Sequence, residues 1–198
     1  MRTPVNALAG LTLLLALALS GCGSAQPTAT ASNSATAPTT APTTIQFSSS
    51  AISGSTIPAR YTCDGQNIAP PLSWGTVPAT IRELAVFLID VTPTSSGRPA
   101  NTVQWAMAGL KPVLHKVAAG ELPPNAFLEE NSNQGTRYSL CPAKGKARRY
   151  KFALYALPPT AVATNRITGS ELLANLTEAT PQDQSPATGE FTASYTRK

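Results

Sequence analysis

An apolar run from Ala7 to Leu19, entered through Arg2 and closed by the small residues Ser20 and Gly21, takes the first part of this chain out of any globular fold. A basic start, an apolar centre and a small-residue end together predict a secretory signal. The run is shorter than the roughly 20 apolar residues that a bilayer span needs. Folding is therefore expected downstream, on the oxidising side of a membrane.

The residues LSGC, 19 to 22, look like a bacterial lipobox, in which the chain is cut before Cys22 and its thiol receives a diacylglyceryl group. The alternative is an ordinary signal with an incidental cysteine. Two or more acyl chains hold a protein stably on a bilayer, at about 0.8 kcal/mol per buried methylene. Residues 23–44, GSAQPTATASNSATAPTTAPTT, hold neither a charge nor an aromatic ring. Such a segment cannot bury enough apolar surface to offset its ordering entropy and reads as a disordered tether. Its reach is on the order of 70 Å at full polyproline extension. The expected organisation is a lipoprotein signal at 1–21, lipidated Cys22 and its tether at 22–44, and one domain at 45–198. The predicted address is the cell membrane, lipid-anchored, on the extracytoplasmic side.

With Cys22 assigned to lipid, Cys63 and Cys141 are the remaining thiols. In an oxidising compartment they are predicted to pair, two separate buried thiols being the alternative. Metal binding has poor support, because the chain holds one histidine, His115, and no Cys-x-x-Cys spacing. His115, in the loop KPVLHKV, reads as a surface residue rather than a catalyst. Fifteen Lys and Arg against ten Asp and Glu make a modest excess, and with the secreted address this argues against nucleic acid as a partner. The cations matter locally: Lys144, Lys146, Arg148, Arg149 and Lys151 crowd the stretch SLCPAKGKARRYKFALYAL, 139 to 157.

RELAVFLID at 82–90, TVQWAMAGL at 102–110 and RYKFALYAL at 149–157 are rich in aliphatic and aromatic residues and bounded by turn formers, so they predict strands. GEFTASYT at 189–196 predicts a last strand with Phe191, Ala193 and Tyr195 on one face. TGSELLANLTEAT at 168–180 predicts the one clear helix, with Ser170 as N-cap and Leu172, Leu173 and Leu176 on one side. The class is mostly β, with a minor C-terminal helix. A period of two puts Leu84, Val86, Leu88 and Asp90 on one face, and Arg148, Tyr150, Phe152, Leu154 and Ala156 on another. Asp90 is then either a turn-starting carboxylate or part of a site, and the cations are either a solvated sheet edge or the wall of one.

YTCDGQNIAPPLSWGTVP at 61–78 resembles the segment YTCDGxNxSPPLxWxxxP of the bacterial phosphatidylethanolamine-binding proteins, also called Raf kinase inhibitor-like proteins. Later pieces come in a similar order: a strand ending in Asp, a strand with a central Trp, a Tyr and Cys-Pro turn, an Arg-Tyr strand and a closing GEF strand. The resemblance spans residues 45–198. It implies a large antiparallel sheet packed on a smaller one, a small anion-binding cavity at one end, and no metal or cofactor. The family's Asp-Pro-Asp-Ala-Pro is represented by Asp90, Val91, Thr92 and Pro93, and the His before the strand Trp is Gln104, before Trp105. Its Tyr and Cys-Pro loop corresponds to Arg137, Tyr138, Ser139, Leu140, Cys141, Pro142 and Ala143, and its His-Arg-Tyr triplet to Arg148, Arg149 and Tyr150. The implied ligand set is Asp90, Gln104, Trp105, Tyr138, Arg148 and Tyr150.

Both family histidines are absent, and this changes the chemistry. Imidazoles lose anion affinity as they deprotonate near neutral pH, whereas a guanidinium keeps its charge and offers a planar fork to phosphate or carboxylate. If Arg148 turns inward it forms one wall of an anion site; if it turns outward or simply pairs with Asp90, the pocket is vestigial. The expected function is a membrane-anchored binding module, without turnover, for a small anion such as a phospholipid headgroup, or for a protein partner. The alternative is an envelope inhibitor or interaction protein that ignores the pocket. A hydrolase is disfavoured, because no Gly-x-Ser-x-Gly elbow occurs and a nucleophile needs a positioned base.

Overall fold

The computed structural model describes residues 44–157, 163–164, 166–178 and 187–198. The predicted signal, Cys22 and residues 23–43 of the tether lie outside these. Eight strands and one helix follow in the order β1 (Phe47–Ser48), β2 (Leu72–Trp74), β3 (Glu83–Asp90), β4 (Thr102–Leu110), β5 (Lys116–Val117), β6 (Phe127–Glu129), β7 (Ala147–Leu157), α1 (Gly169–Glu178) and β8 (Thr188–Thr196). They form a five-stranded sheet, ordered β6-β4-β3-β7-β8, and a three-stranded sheet, ordered β1-β2-β5. Every strand pairing is antiparallel.

The large sheet is covered on both faces. On one, Leu84, Val86, Leu88, Phe152 and Leu154 pack with Phe47, Leu72, Trp74 and Val117 of the small sheet. On the other, Ala85, Phe87, Ile89, Ala153, Tyr155 and Leu157 pack with Leu172 and Leu176 of α1. This explains why ELAVFLID reads as an apolar run rather than as an alternation: a strand with two buried faces has no polar face to show. Alternation survives only as the choice of layer. Phe191 stacks on Phe152 at 4.8 Å between ring centroids and tilts against Phe47 at 5.4 Å, which ties β8 to the small sheet. Gly189 permits that approach, since a Cβ there would lie 2.3 Å from the Ile45 carbonyl oxygen.

The predicted helix is present, but its cap is not Ser170. The Thr168 hydroxyl accepts the Glu171 N–H at 3.2 Å, and the Glu171 carboxylate accepts the Thr168 N–H at 2.7 Å. That reciprocal pair is a capping box. Ser170 lies inside the helix, with its hydroxyl 3.2 Å from that of Ser132. These hydrogen bonds to Thr168 hold the Glu171 carboxyl below the usual carboxylate range. Thr168→Ala should lower stability by about 1 kcal/mol, read as a shift in the urea unfolding midpoint, while Ser170→Ala should change it by less than half of that.

Candidate functional site

Strand register assembles the site. Asp90, at the end of β3, stands opposite Thr102 of β4 on one side and Tyr150 of β7 on the other. Its Oδ1 accepts the Thr92 N–H at 2.9 Å, the local bond of a turn-starting carboxylate. Its Oδ2 accepts from Arg148 Nη1 at 3.3 Å. Asp90 is therefore a turn-starting carboxylate that also pairs with Arg148. Of the other four cations in the 139–157 stretch, Lys151 pairs with Glu190 at 3.3 Å. Arg149 is held by its backbone, its N–H donating to the Thr92 hydroxyl at 2.9 Å.

Aromatic side chains form the floor. Tyr150 and Tyr138 are both buried, and Trp105 meets Tyr138 edge-on at 5.6 Å. Burial pushes the Tyr150 phenol well above its ordinary pKa; the charge of Asp90 adds to this and Arg148 works against it. Burial, with a smaller contribution from Tyr150, does the same to Tyr138. Both phenols are neutral donors at ordinary pH, and Tyr138 spends its proton on the Tyr61 carbonyl at 3.0 Å.

Gln104 sits at an irregularity. Leu88 pairs with Trp105 and Ile89 with Val103, so Gln104 is the extra residue of a bulge in β4. Its side-chain amide donates to the Thr102 hydroxyl at 3.1 Å, and its backbone carbonyl accepts from Asn131 Nδ2 at 3.0 Å. Beside it lies a hollow of about 470 Å³ bounded by Asn131, Asn133, Arg137, Ser139 and Cys141. A second hollow, of about 300 Å³, lies over Trp105 and Tyr138 and shares Arg137 as a wall. Asp90, Arg148 and Tyr150 bound neither hollow. The six candidate residues thus fall into an ion-paired group, Asp90, Arg148 and Tyr150, and a hollow-lining group, Gln104, Trp105 and Tyr138, joined by the strands between them.

The segment 61–67 works as a clamp on the loop that carries Arg137 and Tyr138. Cys63 and Cys141 are joined by a disulfide across 78 residues of chain. The Cys63 N–H donates to the Leu140 carbonyl at 3.1 Å, and Asn67, in the left-handed region at φ 53°, accepts the Leu140 N–H at 3.1 Å. Asp64 accepts from the Tyr195 hydroxyl and, at 3.2 Å, from Arg197 Nε, which ties the clamp to β8. The Tyr195 hydrogen bond in particular holds the Asp64 carboxyl below its ordinary value. The sequence gives no sign of the part played by Asn131, and it shows Asp64, Asn67 and Arg137 only as matches to the family's segments and Tyr195 only as a strand-face residue. His115 is exposed, at a left-handed turn after Leu114. Among the described residues no group of three or more His, Cys, Asp and Glu is placed to hold a metal, and no helix is long and apolar enough to cross a membrane.

Two packed antiparallel sheets, with a guanidinium and polar hollows at one end of the strands, define a binding fold of the two-sheet β class. The chain belongs to the phosphatidylethanolamine-binding protein family, which it matches over residues 47–192. It is similar to the "Putative lipoprotein LppC" of Mycobacterium tuberculosis, 36% identical over 170 residues that cover 79% of this chain and 80% of that one. Among solved structures, CT736 of Chlamydia trachomatis, described as a homologue of the same family, superposes with a TM-score of 0.65 at 27% identity. It covers 78% of this chain and 99% of its own. YbcL of Escherichia coli shares the fold at a TM-score of 0.63 and 24% identity, with the same coverage of 78% and 99%.

Proposed function

We propose that this chain is a lipid-anchored binding protein that holds a small phosphate-like anion, free or as a phospholipid headgroup, beside Arg148, without turnover. The carrying observation is the asymmetry of the Asp90–Arg148 pair. The Asp90 side chain is 9% exposed and that of Arg148 is 39% exposed, so the carboxylate fixes the guanidinium from below and leaves its outer edge in solvent. A guanidinium has five N–H donors, and among the described residues Arg148 gives one, to Asp90. The rest match the oxygens of phosphate. Gln104, Arg137 and Ser139 supply further donors at the neighbouring hollow. Anchoring through Cys22, on the extracytoplasmic side, is supported by the LSGC motif and by the likeness to LppC.

A competing reading, an envelope interaction protein with a vestigial pocket, is favoured by one observation: Arg148 already has a carboxylate partner. Thermal unfolding with inorganic phosphate and with glycerophosphoethanolamine separates the two. A ligand at a hundredfold excess over Kd stabilises by about 2.7 kcal/mol, an easily read rise in midpoint. Wild type should show it with at least one of the two probes, and Arg148→Ala should bind about tenfold more weakly, as expected for losing a charge-assisted hydrogen bond. A flat response in wild type leaves the interaction reading in possession.

A further inference from the structure

At the other end of the large sheet the surface has a different character. Val113 and Leu114 are 78% and 37% exposed, adjacent, and among the three large apolar residues that the described surface exposes. They are held on a fixed turn: Trp74 Nε1 donates to the Pro112 carbonyl at 3.1 Å, the Trp74 N–H to His115 O at 2.9 Å, and the Leu114 N–H to Lys111 O at 3.1 Å. Val77, Pro78 and Ile81 meet Pro112 and Val113 across a shallow hollow of about 440 Å³, which widens the apolar tip. Arg82, Lys111 and Lys116 surround it, all exposed and none in an ion pair among the described residues. Of the neighbouring acids, Glu83 turns to the Gly109 N–H at 3.2 Å, and Glu121, beside Leu114, accepts the Ala118 N–H at 2.7 Å.

Where the tip lies decides what it meets. Thr44, the first described residue, bridges to Thr188, which pairs with Tyr155, itself opposite Ala85 near the start of β3. The Gly75 N–H donates to Gln46 O at 2.9 Å, one residue from the Trp74 that holds the tip. The segment read as the tether therefore joins the domain at the same end as Val113 and Leu114. Asp90 and Arg148 lie at the far end of β3, about 23 Å away at 3.3 Å per residue.

We propose that the Pro112–Leu114 turn, with Val77, Pro78 and Ile81, is a membrane-contact tip that seats on a bilayer surface rich in anionic lipid, turning the Arg148 end away from that membrane. Apolar residues inserted at the headgroup boundary inside a ring of Lys and Arg are the chemistry of interfacial binding. A second copy is a poor occupant, since a twofold contact would set the same three cations against each other. The proposal rests on the anchoring reading for its geometry, because the tether delivers this end of the domain first.

The test uses the full processed chain in phosphatidylcholine vesicles with and without phosphatidylglycerol. An environment-sensitive fluorophore is placed through Ala79→Cys at the tip or through Thr94→Cys at the far end, and a nitroxide lipid serves as quencher. Quenching at residue 79 should exceed that at 94 at least about threefold when anionic lipid is present. It should fall to parity in Val113→Asp/Leu114→Asp and at high salt. Arg82→Gln/Lys111→Gln/Lys116→Gln should weaken tip contact about a hundredfold, at roughly fivefold per charge. Equal quenching at 79 and 94 in wild type overturns the tip, including the outcome in which the patch serves an acidic protein instead. The lipid mass on Cys22, read by mass spectrometry on the same sample, tests the anchor separately, so either idea can fail while the other stands.

Discussion

Replacing Cys63 and Cys141 together by serine should lower the stability of the domain by about 4–5 kcal/mol. The bridge closes 78 residues of chain, and a cross-link of that length removes a large share of the unfolded chain's conformational freedom. The native contacts around it do not depend on sulfur. The Tyr138 hydroxyl still reaches the Tyr61 carbonyl, and Asn67 still holds Leu140. The variant should therefore fold to the same structure with a lower urea midpoint, and reducing agent should bring wild type to nearly the same midpoint, because Cys141 is exposed. A loss below about 1 kcal/mol in both experiments would show that the unfolded chain is already compact around this loop, and the chain-entropy account would fail. The clamp also carries Arg137 and Ser139 into the hollow beside Gln104, so the phosphate binding proposed above should weaken as this loop loosens.

What could be read from the chain follows how far each signal repeats. The long strands β3, β4 and β7 are legible because six or more apolar residues bounded by turn formers leave few other options, and β8 because Phe191, Ala193 and Tyr195 alternate with polar residues; the observed limits of all four lie within two residues of those read. The strands β1, β2, β5 and β6 are two or three residues long, too short to show any period. Thr168 is readable, since Thr-x-x-Glu before a leucine run is the capping-box pattern, whereas Ser170 already lies inside the first turn. At the site, the period of two gives the residues that share a face with Asp90 in one strand and with Tyr150 in the other, and cross-strand register, which the sequence does not show, sets the two opposite each other. The walls of the hollow are not readable, because Arg137 and Ser139 come from a loop whose course is set by contacts 72 to 78 residues away, and Asn131 is fixed by one 27 residues away. Asp64 shows the same limit: its partners Tyr195 and Arg197 lie at the opposite end of the domain's sequence.

Glu129 carries the second large effect. It lies on the edge strand β6 opposite Ala106, is 1% exposed, and its Oε1 has no hydrogen-bond partner among the described residues. Burial first, and the charge of Glu83 second, push its carboxyl from 4.5 up to about 7. The sign follows from proton counting. Between pH 4.5 and 7 the unfolded chain loses this proton while the folded chain keeps it, so stability falls as pH rises through that window and levels off above it. The gap corresponds to about 3 kcal/mol as an upper figure, since residual hydration of the site reduces it. Glu129→Gln keeps the shape and removes the titration. The variant should match wild type near pH 4, where the acid is protonated in both states, and exceed it by as much as about 3 kcal/mol at pH 8, measured by urea unfolding. Asp64 and Glu171, whose carboxyls are held low, act in the opposite direction at acid pH, but they are common to both proteins and cancel in the difference. A constant offset between the two at every pH would mean that Glu129 titrates in the fold as it does in the unfolded chain. A gap that opens from about pH 5 and levels off above pH 7 would place a protonated acid beneath the sheet edge throughout that window.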